Sequence, residues 1–146
     1  MRLAAPLLSD LFLLIYGDSY LPIDYRQVLN LLRSRRATGL VVVYDNQLED
    51  TSVRNNIALD SDDAVTRYDK SGVSPRLRYV EAGVLAFRKE VVDRLPEHGA
   101  VSLEQEIFPR LIADHDLIAF RTRQRFYDIG TPERLAVIEK LLSHAG

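Results

Sequence analysis

The chain has 146 residues, the length of one ordinary domain, and 47% hydrophobic with 27% charged residues is the composition of a soluble globular protein. A net charge of −2 and the lack of a basic stretch interleaved with aromatics argue against a nucleic-acid partner. With no cysteine, disulfides, thiolate catalysis and cysteine-ligated zinc are excluded, and the three histidines, His98, His115 and His144, are scattered without ligand spacing and read as surface residues.

Residues 3–8 read as the end of a helix that begins upstream. They resemble a signal peptide when joined to the apolar run 11–16, but Ser9 and Asp10 interrupt it and no small-residue cleavage site follows. No stretch is long enough to span a membrane, so a cytoplasmic location and no membrane partner are expected. Residues 11–16 are continuously apolar, as in a central parallel strand covered on both faces. Residues 24–35 read as a helix with Asp24 as N-cap, Gln27 at the capping-box position and Ile23 stapled onto Val28; Val28, Leu31 and Leu32 share its apolar face. The valine-rich run 39–44 is a second buried strand. Residues 45–52 form a polar loop. Short strands at 56–59 and 64–68 flank the turn-like cluster Asp60-Ser61-Asp62-Asp63, and 71–75 is another loop.

The segment 77–87 reads as a strand or a pair of strand segments whose Gly83 marks a bulge or a close approach. Helices follow at 89–95 and 102–113, the second capped by Ser102 with Gln105 three residues on, and Pro109 either kinks or breaks it. Residues 117–122 and 126–129 are strands. Thr131 caps a last helix with Pro132 at its first position, and Leu135, Ile138, Leu141 and Leu142 are expected to face the core. There is no repeat, linker or low-complexity tract. One domain over 1–146 is expected, an α/β sheet with an antiparallel element.

Asp18 and Asp128 each stand where a strand-like run gives way to a turn. In an open α/β sheet, ligands bind outside the carboxyl ends of strands, so the two are expected to open onto one cleft. A carboxylate pair of this kind suits Mg²⁺ bound to substrate phosphates. Taken alone, Gly17-Asp18-Ser19 is explained by a turn, and Ile129-Gly130-Thr131-Pro132 by a strand-to-helix junction. Asp69-Lys70 is either an exposed ion pair or a sugar contact from Asp69 beside a phosphate contact from Lys70. Glu81, inside an apolar strand, is harder to dismiss because unpaired buried charge is costly; a structural hydrogen bond is the alternative.

Five segments in order resemble the sugar-phosphate nucleotidyltransferases: Tyr16-Gly17-Asp18-Ser19-Tyr20-Leu21-Pro22-Ile23-Asp24-Tyr25; Asp50-Thr51-Ser52 with Asn56-Ile57; Arg67-Tyr68-Asp69-Lys70; Glu81-Ala82-Gly83-Val84-Leu85; and Arg125-Phe126-Tyr127-Asp128-Ile129-Gly130-Thr131-Pro132. The resemblance implies a Rossmann-like mixed sheet of the GT-A-like type. It further implies transfer of a nucleotidyl group from a nucleoside triphosphate to a sugar 1-phosphate with release of pyrophosphate. Asp18 and Asp128 match the family's metal-binding, catalytic acids. Asp69, Lys70, Glu81 and Gly83 match its sugar-phosphate contacts, so Lys70 and Glu81–Gly83 are expected to line the cleft of Asp128. Glu81-Ala82 departs from the commoner Asn-Ala or Asp-Tyr before the glycine. No counterpart of the family's opening Gly-x-Gly-x-Arg-Leu loop is found, which implies an N-terminally truncated form. That form would be inactive alone, bind a nucleoside triphosphate only if the segment is supplied, and expose a sheet edge through which it could self-associate. The alternative is a non-catalytic sugar-phosphate-binding remnant or a subunit that needs a separate N-terminal piece.

Overall fold

In the computed structural model, which describes residues 1–96, 99 and 101–143, the sheet is organised around the strand that carries Gly83. Strand β1 is Leu11–Ile15, β2 Ser19–Tyr20, β3 Gly39–Asp45, β4 Ile57–Leu59, β5 Val65–Tyr68, β6 Tyr79–Arg88, β7 Leu117–Thr122 and β8 Tyr127–Asp128. One edge of β6 pairs antiparallel with β3, and β3 pairs parallel with β7. The other edge of β6 is shared: β1 runs antiparallel along its C-terminal half, and β4 meets it at Tyr79 and continues the sheet to β5. Both parallel and antiparallel pairings are therefore present, as the mixed-sheet expectation requires.

β3 is buried on both faces, which is why its run of valines does not alternate with polar residues. Val41 and Val43 join Leu85, Phe87 and Leu117 against helix α2, Phe108–Ala113. Leu40, Val42 and Tyr44 join Val80, Ala82, Val84 and Ala86 against helix α1, Tyr25–Ser34. Asp24 does cap α1, accepting from the Arg26 N–H at 3.1 Å, and Val28 and Leu32 are its buried residues. The cap closes at the second helical N–H rather than at Gln27, and the Arg26 guanidinium clasps the same carboxylate.

Several elements depart from the sequence reading. β1 is not a covered central parallel strand: it is antiparallel to β6, carries no strand on its outer edge among the described residues, and buries only Phe12. An apolar run is the same whichever way its neighbour runs; here the chain returns through β6, which sets the direction. Residues Arg2–Leu7 form a 3₁₀ helix with Leu3 and Leu7 exposed, and Lys89–Arg94 is also 3₁₀. Before α2, Leu103–Ile107 is a π-helical turn. Ser102 caps it through the Gln105 N–H, and the Glu106 side chain, not Gln105, accepts from the Ser102 N–H. Pro109, which has no N–H to give, sits in the first turn of α2. The run 126–129 shortens to β8, which leaves the main sheet to pair with β2. In the last helix, α3, Pro132–Ser143, Thr131 caps the Arg134 N–H as expected, but only Ile138 is buried. Leu135, Leu141 and Leu142 are exposed, because the other elements of the described chain cover one narrow side of α3. His115 is exposed; His98 and His144 lie outside the described residues.

Candidate functional site

After β1 the chain turns sharply, the Ser19 N–H reaching back to the Tyr16 carbonyl at 3.3 Å. This turn throws Ser19 into β2, where it stands opposite Asp128 of β8, and the Ile129 N–H donates to the Asp18 carbonyl at 2.8 Å. Two acids from opposite ends of the chain are thereby set side by side. Their carboxylates converge on Gly130: a Cβ there would stand 3.1 Å from Asp128 Oδ1 and 3.6 Å from Asp18 Oδ2. Asp128 Oδ1 accepts from the Gly130 N–H at 2.8 Å, and Oδ2 pairs with the Arg134 guanidinium of α3.

The second wall is a bulge in β6. The pairing with β3 slips between Val41 and Val43, and Gly83 takes φ +73° at the slip. Such a backbone favours glycine, and the space on its Cα is filled by Ser19. The Gly83 carbonyl accepts from the Tyr16 N–H at 2.9 Å, so the bulge and the Asp18 turn hold one another.

Glu81, two residues earlier, is 7% exposed. Its Oε2 accepts from the Tyr68 hydroxyl at 3.0 Å, and its backbone N–H donates to Asn56 Oδ1 at 2.9 Å. Its Oε1 is buried and has no hydrogen-bond partner. Burial is the main cause that pushes the Glu81 carboxyl up to about 7, against the pull of Tyr68 and Tyr16. The same burial, with Glu81 beside them, holds the Tyr16 and Tyr68 hydroxyls protonated at any ordinary pH.

Asp18, Lys70, Glu81, Gly83, Glu104 and Asp128 line one cavity of about 190 Å³. The shared cleft expected of Asp18 and Asp128 is thus present, with Lys70 and the Glu81–Gly83 strand in its wall. Asp69 is not in it. β5 ends at Tyr68, which lines the cavity, and the next residue turns away: the Asp69 carboxylate accepts from the Ser71 N–H at 2.9 Å and from the Ser71 hydroxyl. Glu104, Tyr16 and Tyr68 were not singled out from the sequence. Glu104 arrives on the π-helical turn and bonds Lys70 Nζ at 2.8 Å, a hydrogen bond that raises the lysine's pKa. The one local signal for it was its place two residues after the Ser102 cap.

Two carboxylates flanking a glycine with no side chain are a donor set that a hard cation accepts when phosphate oxygens complete its shell. Among the described residues there is no cluster of three acids or histidines that could hold a metal by itself. Nor is there a helix long and apolar enough to cross a membrane.

No protein-family model matches the chain. It is 30% identical over 134 residues to a mannose-1-phosphate guanylyltransferase of Mycobacterium tuberculosis, a match that covers 90% of this chain and 37% of that protein. The chain spans about a third of the length of the curated relatives it matches. In fold it is similar to a structure described as a glucose-1-phosphate thymidylyltransferase of Bacillus anthracis in complex with sucrose, with TM-score 0.78 at 16% identity, over 96% of this chain and 58% of that one. It is also similar to HddC of Yersinia pseudotuberculosis complexed with GMP-PN, with TM-score 0.69 at 21% identity, over 96% and 60% of the two chains.

Proposed function

We propose that this chain, related in sequence and in fold to the sugar-phosphate nucleotidyltransferases, holds a sugar 1-phosphate for reaction with a nucleoside triphosphate. The observation that carries this reading is the convergence of Lys70, Glu81, Glu104, Asp18 and Asp128 on one cavity. In the reaction, a phosphate oxygen of the sugar 1-phosphate attacks the α-phosphorus of the triphosphate, and the bond from that phosphorus to pyrophosphate breaks. Positioning and charge neutralisation are what such a transfer asks of a protein, and no protein nucleophile is needed. Lys70 Nζ, held by Glu104, is the cation that faces the sugar phosphate. Glu81, braced by Tyr68 and Asn56, faces the sugar. Asp18 and Asp128 would hold Mg²⁺, which offsets phosphate charge when bound. Arg134 shares Asp128 and keeps that carboxylate turned toward Gly130.

Calorimetric titration tests the assignment. With mannose 1-phosphate present, Asp18→Asn and Asp128→Asn are each expected to weaken Mg²⁺ or Mn²⁺ binding at least about tenfold, since each removes one of two charged ligands. Unchanged affinity in both variants would remove the shared cation. Lys70→Ala is expected to weaken mannose 1-phosphate binding about tenfold without changing stability, because Lys70 is exposed and its pair with Glu104 contributes little to folding. Undiminished sugar-phosphate affinity would make Lys70 a surface charge.

A further inference from the structure

Resting on the sugar-phosphate reading, we infer that the sugar this cavity selects carries an ammonium group, which donates to the unpartnered Oε1 of Glu81. The cavity is more acidic than a neutral sugar needs. Of its four carboxylates, Glu104 is paired with Lys70 and Asp128 with Arg134. Asp18 and Glu81 have no ion-pair partner among the described residues. Asp18 lies at the end where phosphate and cation would meet. Glu81 lines the same cavity with Tyr68, Tyr16 and the Gly83 bulge.

A buried carboxylate needs both a counter-charge and donors on its free lone pairs. The Tyr68 hydroxyl donates to Oε2, the Glu81 backbone N–H donates to Asn56 Oδ1, and Oε1 is buried in the wall of the cavity with no hydrogen-bond partner. An unsatisfied buried polar atom in a native structure has a physical cause, and a donor that arrives with a ligand is one. A sugar hydroxyl would give one hydrogen bond and leave the charge uncompensated. An ammonium gives the hydrogen bond and the charge together, and such charge-assisted bonds are roughly twice as strong as neutral ones. Burial would otherwise push Glu81 toward its neutral form at physiological pH, and an ammonium beside it would hold it ionised.

The test is calorimetry of the chain with glucose 1-phosphate, mannose 1-phosphate, the four aminodeoxy analogues of glucose 1-phosphate bearing the amine at C2, C3, C4 or C6, and the N-acetylated form of the best binder. One amino isomer is expected to bind at least about tenfold more tightly than glucose 1-phosphate, and N-acetylation, which removes the charge, is expected to abolish the gain. In Glu81→Gln, which keeps the shape and the contact with Tyr68, the ratio of amino to parent affinity is expected to fall to about one. Amino isomers that bind no better than the parent sugar, or an advantage that survives Glu81→Gln, would overturn the inference while leaving the sugar-phosphate reading standing. Failure of every hexose 1-phosphate to bind would overturn that reading, and this inference with it.

Discussion

Gly83→Ala is expected to lower the stability of the chain by about 3 kcal/mol and to abolish sugar-phosphate binding. Two costs combine. Gly83 has φ +73°, and a non-glycine residue held in such a conformation costs about 1–3 kcal/mol. Its new Cβ would also fall well inside the contact radius of Ser19 Oγ and Cβ, and overpacking of this kind costs about 1–3 kcal/mol. Ser19 cannot yield freely, since it is paired with Asp128 in β2–β8 and follows Asp18 directly. Pushing it moves both carboxylates off Gly130, so loss of the site accompanies loss of stability. The check is denaturant unfolding of Gly83→Ala beside Ser19→Gly/Gly83→Ala. The double variant removes the clash and keeps the backbone strain, so it is expected to recover about half the loss. A Gly83→Ala chain as stable as the parent would mean that β6 can pass the turn without its bulge.

Gly83 was legible in the sequence because a glycine weakens an apolar strand, and its presence there points to a bulge or a close approach. β3 and α1 were legible for similar reasons. A valine run with no polar alternation demands cover on both faces, and Asp24 before an apolar stripe is a strong start signal. The meeting of Asp18 and Asp128 could be anticipated from their shared place at strand ends, but not the means: β2 and β8 are two residues each, too short for any period to register. Asp69 stands outside the cavity that Tyr68 and Lys70 line, for a related reason. In extended chain, neighbouring side chains point to opposite sides, so Tyr68 and the acid after it do not face the same cavity. Glu104 was missed because its partner, Lys70, lies 34 residues away and no local spacing connects them. The direction of β1 and the exposure of Leu135, Leu141 and Leu142 depend on which surface covers an apolar stripe, and a periodicity does not contain that information.

Glu81→Gln is expected to stabilise the chain at pH 8 and to flatten its pH dependence, by up to roughly 3 kcal/mol between pH 5 and pH 8. The Glu81 carboxyl rises from an ordinary 4.5 to about 7 on folding. Between those values the folded chain holds a proton that the unfolded chain has released, so raising the pH across this window favours unfolding. Above pH 7 the cost is fully present, and below about 4.5 it vanishes. Glutamine keeps the shape and an oxygen for the Tyr68 hydroxyl but never carries the charge. Other acids, such as Asp24 and Asp69, have lowered pKa values through local hydrogen bonds. Their contribution is lost at pH values below this window and is common to both proteins. The difference between parent and variant, measured by urea unfolding at pH 5, 6, 7 and 8, therefore isolates Glu81. It is expected to be smallest at pH 5 and to grow with pH in favour of the variant. Parallel profiles would mean that Glu81 is solvated in the free chain, with water supplying Oε1 the donor it lacks. A growing difference would show a carboxylate kept at a cost to the fold, as expected of a group whose partner arrives with the ligand.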